Sequence, residues 1–153
     1  MQSIRFRDVE NLQVYNRLCD LHLEIWEDTK TWPRAERFEL TSQVLRSSNS
    51  SPAQLAEKNE DRHLKNRVEG VNRARGESSE TIHHLRIATR KSYLEQERFE
   101  NYKERYQECI RMLNGLEKNL ESSLPDSDRK WVREPNTPYF TSLPVGYPES
   151  PEI

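Results

Sequence analysis

Four stretches of this chain place apolar residues at spacings of three and four. That period lines them up on one face of a helix and scatters them over both faces of a strand. The first stretch runs Leu12, Tyr15, Leu18, Cys19, His22, Ile25 and Trp26, starting near Asp8, a residue type suited to an N-cap. Trp32-Pro33 closes it, because the residue before a proline is pushed out of the helical region, and Pro33 suits the first turn of the next helix. The second helix is expected over 34–60, with Phe38, Leu40, Val44, Leu45, Leu55 and Ala56 as its apolar contacts. The third is expected over 62–91, with the stripe Val68, Val71, Arg75, Ser78, Ile82, Leu85 and Thr89 and with Ala74 and Ala88 beside it. Gly76 costs about 1 kcal/mol relative to alanine in a helix, so it is expected to mark the close approach of a neighbouring helix. The fourth, over 95–121, carries the strongest stripe: Phe99, Tyr102, Tyr106, Cys109, Ile110, Leu113, Leu116 and Leu120.

Inside the second helical pattern lies Arg46-Ser-Ser-Asn-Ser-Ser-Pro52-Ala-Gln-Leu-Ala-Glu57. A proline there removes a backbone donor and crowds the carbonyl four residues earlier, so a kink or a break is expected. Serine hydroxyls can satisfy freed carbonyls, which makes Ser47–Ser51 reasonable neighbours for it. A structural role and a ligand-binding role both fit this segment. The sequence thus predicts an all-α fold: an antiparallel up-down four-helix bundle over 1–122 with a kinked second helix, followed by an extended tail over 123–153.

Hydrophobic residues make up 33% of the 153-residue chain and charged residues another 33%. Narrow apolar stripes, completed by neighbouring subunits, suit that composition better than one large core. Charge is sorted by segment. Residues 8–30 hold two basic and six acidic side chains, a balance of −4, whereas residues 62–91 hold eight Lys/Arg against three Glu, or +5. Opposite-sign helices can pair within a bundle, or the basic helix can face phosphates. Arg62, Lys65, Arg73, Arg86, Arg90 and Lys91 are the candidate nucleic-acid contacts.

Six of the eight prolines fall between Pro125 and Pro151, interleaved with Trp131, Tyr139, Phe140 and Tyr147. Such a tail cannot continue a helix. Its aromatics are candidate partner-binding residues, for the tail's own bundle, for a neighbouring subunit or for a foreign protein. Cys19 and Cys109 fall on helical stripes and are expected as buried free thiols. His83 and His84 are adjacent, so on a helix they point about 100° apart and cannot chelate one ion together. No metal, cofactor, membrane span or small-molecule substrate is expected, nor any catalytic motif. A cytoplasmic location is expected.

Several motifs keep their order and spacing. They are the aromatic-rich Phe6 to Tyr15, then Trp32-Pro33 with Glu36, then Leu40, Gln43 and Leu45-Arg46-Ser47-Ser48. Ser50-Ser51-Pro52-Ala53-Gln54-Leu55-Ala56-Glu57, Ala74-Arg75-Gly76 with Glu80, and Arg111-Met112-Leu113-Asn114-Gly115-Leu116 follow. Together they resemble the four-helix-bundle family encoded in intervening sequences of bacterial 23S ribosomal RNA genes, to which accessory proteins of diversity-generating retroelements are related. The resemblance covers residues 4–122; Lys58 and Glu77 stand where the family has glycine and serine. It implies an antiparallel bundle assembled into a cyclic homopentamer, without catalysis. In the retroelement relatives it implies association with a reverse transcriptase and template RNA through a basic surface. The expected function is that of a non-enzymatic accessory protein using the basic third helix. The alternative is a protein-interaction scaffold whose Pro-rich tail captures a partner or a neighbouring subunit.

Overall fold

The computed structural model describes residues 8–124; of the expected tail over 123–153, residues 125–153 with the four aromatics lie outside that range, and Leu124 is buried. Four helices follow one another: α1 (Gln13–Thr29), α2 (Leu40–Lys58), α3 (Leu64–Arg90) and α4 (Gln96–Glu121). Cross-helix contacts fix their directions. Arg46 meets Glu80 while Ser51 meets Ser78, Arg75 meets Glu117 while Arg86 lies over Phe99, and Arg17 meets Glu108 while Asp28 meets Arg98. Each rising number on one helix pairs with a falling number on the next, so successive neighbours are antiparallel. α3 packs extensively on both α2 and α4, and α1 packs more on α2 than on α4.

The core contains Leu18, Leu21, Ile25, Val44, Leu55, Val71, Leu85, Tyr102, Tyr106 and Leu113. α4 buries Phe99, Tyr102, Tyr106, Cys109 and Leu113 as its period predicts. α1 differs from expectation. Its inward face is Val14, Leu18, Leu21, Ile25 and Thr29, and Trp26 lies outside the core, 45% exposed. Two apolar stripes run along α1, and only one can face the bundle. Cys109 is buried, whereas Cys19 is only half-buried; both are free.

Helix starts also differ. Asp8 makes no side-chain cap; it precedes a 3-10 turn at Val9–Asn11, and α1 begins at Gln13. The second helix does not start at residue 34. A 3-10 turn at Arg34–Glu36 comes first, and the Glu36 carboxylate then accepts the Leu40 N–H at 3.2 Å, capping α2 one turn later. This geometry leaves Phe38 82% exposed, not in the core.

α2 runs unbroken through Pro52, which is buried inside it. The hydroxyls before it bond across helix seams. Ser47 Oγ lies 2.8 Å from Thr81 Oγ1, Ser51 Oγ 2.8 Å from Ser78 Oγ, and Ser48 Oγ 2.7 Å from His22 Nδ1. Each hydroxyl also reaches a carbonyl of its own helix, Thr81 that of Glu77 at 2.8 Å and Ser47 that of Val44 at 3.3 Å. The serines are small residues that let α2 approach α1 and α3, and the hydroxyls satisfy one another inside. Close approach falls at Gly70, not at Gly76. A Cβ at Gly70 would sit 2.6 Å from Lys58 Cβ, while around Gly76 nothing lies within 4 Å.

The end of the bundle holding the α1–α2 and α3–α4 turns is locked by one carboxylate. Glu36 accepts from Lys91 Nζ at 2.7 Å and from the Tyr93 hydroxyl at 3.1 Å, and the Trp32 and Tyr93 rings lie 6.0 Å apart.

Candidate nucleic-acid interface

A basic helix is available to phosphates only if its charge is not already neutralised inside the fold. α1 is the acidic helix, and its carboxylates turn toward α4. Glu24 accepts from both guanidinium nitrogens of Arg105 and lies 3.6 Å from Arg98, and Asp28 accepts from Arg98 at 3.0 Å and from the Tyr102 hydroxyl. The hydrogen bond that Arg105 donates to Glu24 holds its guanidinium above its usual basicity. Among the described residues no ion pair joins α1 to α3. The acidic segment and the basic segment are therefore not each other's partners within one bundle.

α3 sends its charges in two directions. Arg75 points inward, pairing with the buried Glu117 and bonding Asn114 at 2.8 Å and Asn72. Arg62, Lys65, Arg73 and Arg90 are exposed. Arg73 holds Glu69 one turn back at 2.7 Å, an exposed pair worth well under 1 kcal/mol in water and open to exchange for a phosphate. Arg86 is half-buried, with its guanidinium carbon 5.5 Å from the Phe99 ring centre. Lys91 is committed to Glu36, whose hydrogen bond raises the lysine's pKa while that of Glu36 is held below the carboxylate range.

The six sequence candidates are not one compact patch. Arg62 precedes α3 and Lys65 and Arg73 lie in its first half, whereas Arg86 and Arg90 lie in its last turns and Lys91 just past it; at about 1.5 Å per residue Arg73 and Arg86 are about 20 Å apart along the axis, and Lys65 and Arg90 nearly twice that. Together they form a line of positive charge, suited to tracking a phosphate backbone and not to gripping one anion. Lys91 contributes field but not a free contact.

Sequence reasoning missed residues at the Arg90 end. Arg34 and Arg37 are exposed beside Phe38, and Lys30 stacks on Trp26 with its Nζ 3.9 Å from the ring centre. The signal was legible as basic residues alternating with aromatics between Trp26 and Phe38. It was read instead as helix core. Among the described residues no group of three His, Cys, Asp or Glu is placed to hold a metal, and no helix is long and apolar enough to cross a membrane.

Residues 10–115 match the family model described as 23S rRNA-intervening sequence protein. Among solved structures, a protein of unknown function from the S23 ribosomal protein family of Bacteroides thetaiotaomicron superposes with a TM-score of 0.61 at 21% identity, covering 69% of this chain and 98% of that one. At that identity the likeness is one of fold. No curated protein matches the chain.

Proposed function

The chain belongs to the 23S rRNA-intervening sequence protein family, and we propose that it acts as a non-enzymatic, oligomeric accessory protein that associates with RNA through the solvent face of α3. One observation carries this reading. Glu24 and Asp28 of α1 are engaged by α4, and Arg75 and Lys91 are spent on Glu117 and Glu36, so the exposed Arg62, Lys65, Arg73 and Arg90 form the basic stripe that a phosphate backbone would meet. Arg62, Lys65, Arg73 and Arg90 would meet phosphates, and such contacts are independent of sequence. Kinship to the retroelement accessory proteins, a cyclic homopentamer, a reverse transcriptase as partner and a cytoplasmic location complete the proposal. Repeating one basic stripe around a ring would multiply the field.

A second reading is a scaffold whose Pro/aromatic tail captures a protein or a neighbouring subunit. It draws on Leu23, 55% exposed on the outer face of α1.

The test is a tagged pull-down from the native host near physiological salt, with bound RNA sequenced and bound proteins identified. The first reading expects enriched RNA that is released at high salt and lost when Arg62, Lys65 and Arg73 are changed to glutamate. A clean protein partner without RNA would replace it with the scaffold reading.

A further inference from the structure

Tyr15, Cys19, Leu23 and Trp26 follow one another along α1 at steps of four, four and three, which puts them on one face of the helix. Tyr15 and Cys19 are half-buried, while Leu23 is 55% and Trp26 45% exposed. Apolar side chains left in water at successive turns forgo the free energy of burial, so this face calls for a cover. α2 flanks it where His22 meets Ser48. Between Leu40 and Ala56 that helix carries one charge, Arg46, which is turned to Glu80 of α3.

Two observations select the cover. The first is where the chain goes. Arg17 meets Glu108 while Asp28 meets Arg98, so α4 runs back toward the start of α1, and Leu124, itself buried, delivers residues 125–153 there. Counted from the Arg17–Glu108 pair at about 1.5 Å per residue, Trp26 lies about 40 Å along the axis from Leu124. The chain from Leu124 to Tyr139 and Phe140 spans about 45–50 Å when extended at about 3.1 Å per residue, which is enough.

The second is charge. Arg129, Lys130 and Arg133 surround Trp131 with no acid among them, and residues 135–148 are uncharged; Asp126 and Asp128 come before this stretch and Glu134 interrupts it. Along the first half of α1, the turn before it and the end of α2 beside it, Asp8, Glu10, Asp20, Glu57 and Glu60 are exposed and enter no ion pair among the described residues, with Lys58 as the cation among them. Such a face repels a phosphate backbone, and a second copy presenting the same face would set acid against acid.

We propose that the chain's own residues 129–140 cover this face. Arg129, Lys130 and Arg133 lie over the acids at the start of α1, and Tyr139 and Phe140 pack on Leu23 and Trp26. Tethering gives the segment an effective concentration on the order of millimolar, which favours it over a foreign protein. The inference goes beyond the RNA reading and leaves α3 open. It makes the tail a strap that keeps the apolar side of α1 from other chains.

The experiment replaces Phe140 in the full chain with the photo-crosslinking analogue p-benzoylphenylalanine. The protein is irradiated at a low and a high concentration, and crosslinked peptides are mapped by mass spectrometry. Crosslinks to the peptide holding Leu23 and Trp26 are expected, in a band of monomer mass on a denaturing gel and with the same yield at both concentrations. Leu23→Asp changes an exposed position, so helicity should hold, and it is expected to cut that yield about threefold or more. Crosslinks to another helix, no crosslink within the protein, or a yield that Leu23→Asp leaves unchanged would overturn the strap. Bands of dimer mass would overturn it too, and would assign the tail to a neighbouring subunit. No outcome bears on α3, so the RNA reading stands or falls by the pull-down alone.

Discussion

Ser51 Oγ lies 2.8 Å from Ser78 Oγ, and both hydroxyls are also within hydrogen-bond distance of the Ala74 carbonyl, at 2.8 and 2.9 Å. Two hydroxyl protons serve three short contacts, so one serine donates to the carbonyl and the other donates to its fellow serine. Ser51→Ala removes one link but leaves Ser78 free to satisfy the carbonyl, so the expected cost is about 1 kcal/mol. Ser51→Leu cannot fit a seam that brings α2 against Ala74, and should cost about 1–3 kcal/mol or more through overpacking. Urea midpoints at fixed protein concentration, with an unchanged slope, measure both. Equal midpoints for the two variants would mean that the seam is looser than drawn.

The two α3 glycines should respond to alanine with opposite signs. At Gly70 a new Cβ meets Lys58 Cβ at 2.6 Å and the Gln54 carbonyl at 3.1 Å, neither of which can swing away as a side-chain tip could. Gly70→Ala therefore forces α2 and α3 apart and lowers stability. Gly76 is exposed with open space around it, so Gly76→Ala gains the helix propensity, about 0.5–1 kcal/mol. Thermal midpoints moving in opposite directions are the expected result. A loss on Gly76→Ala would place another chain against that face.

How much of this was legible follows from what a period can report. On α4 it works for Phe99 through Leu113, then fails where the same buried face continues as Glu117 and Glu121, because an acid reads as surface until Arg75 is known to reach it. On α1 the period was read as a stripe ending at Trp26, and the choice of Leu21 over Trp26 is made by α2 and α4, not by α1. The serines of α2 are composed like a loop; their place in a helix seam depends on Thr81 and Ser78, some 30 positions away. The charge excess of α3 could be counted in the sequence. That it is left unneutralised by α1 could not, since this depends on which helices are neighbours.

Stability should fall with acid in two separate windows. His22 is half-buried against Ser48 Oγ, and burial lowers its pKa below the usual value near 6.5. The unfolded chain therefore takes up the proton first, so this contribution is complete above about pH 6.5 and is lost as pH falls toward the folded value. Glu36 is lowered chiefly by its bond from Lys91, so its contribution is complete above the usual carboxylate value of about 4.3 and is lost below it. Urea midpoints followed from pH 8 to pH 3 should show both declines. His22→Gln should flatten the upper one and Glu36→Gln the lower. A wild-type profile level between pH 7 and 5 would remove His22 from the argument.

The two cysteines should differ sharply in reactivity. Cys109 is 1% exposed, and burial pushes its thiol up to about 11. At pH 8 about one thiol in a thousand is then ionised, and that fraction is shielded by the packing. Cys19 is half-buried and its thiol is raised by burial as well, but its side of α1 faces outward. Ellman's reagent should consume Cys19 first and reach Cys109 only on unfolding, so the Cys19→Ser variant should be inert until urea is added. Cys109 lines a recess between α1 and α4 with Arg17, Asp20, Leu21, Arg105 and Glu108, and those helices pack less extensively than α1 with α2. Its labelling rate in Cys19→Ser is therefore a direct gauge of that seam. If the rate in buffer matches that of an unhindered thiol, α1 opens away from α4 far more readily than its arginine–carboxylate pairs indicate, and the acids of α1 would be free to meet α3 of another chain.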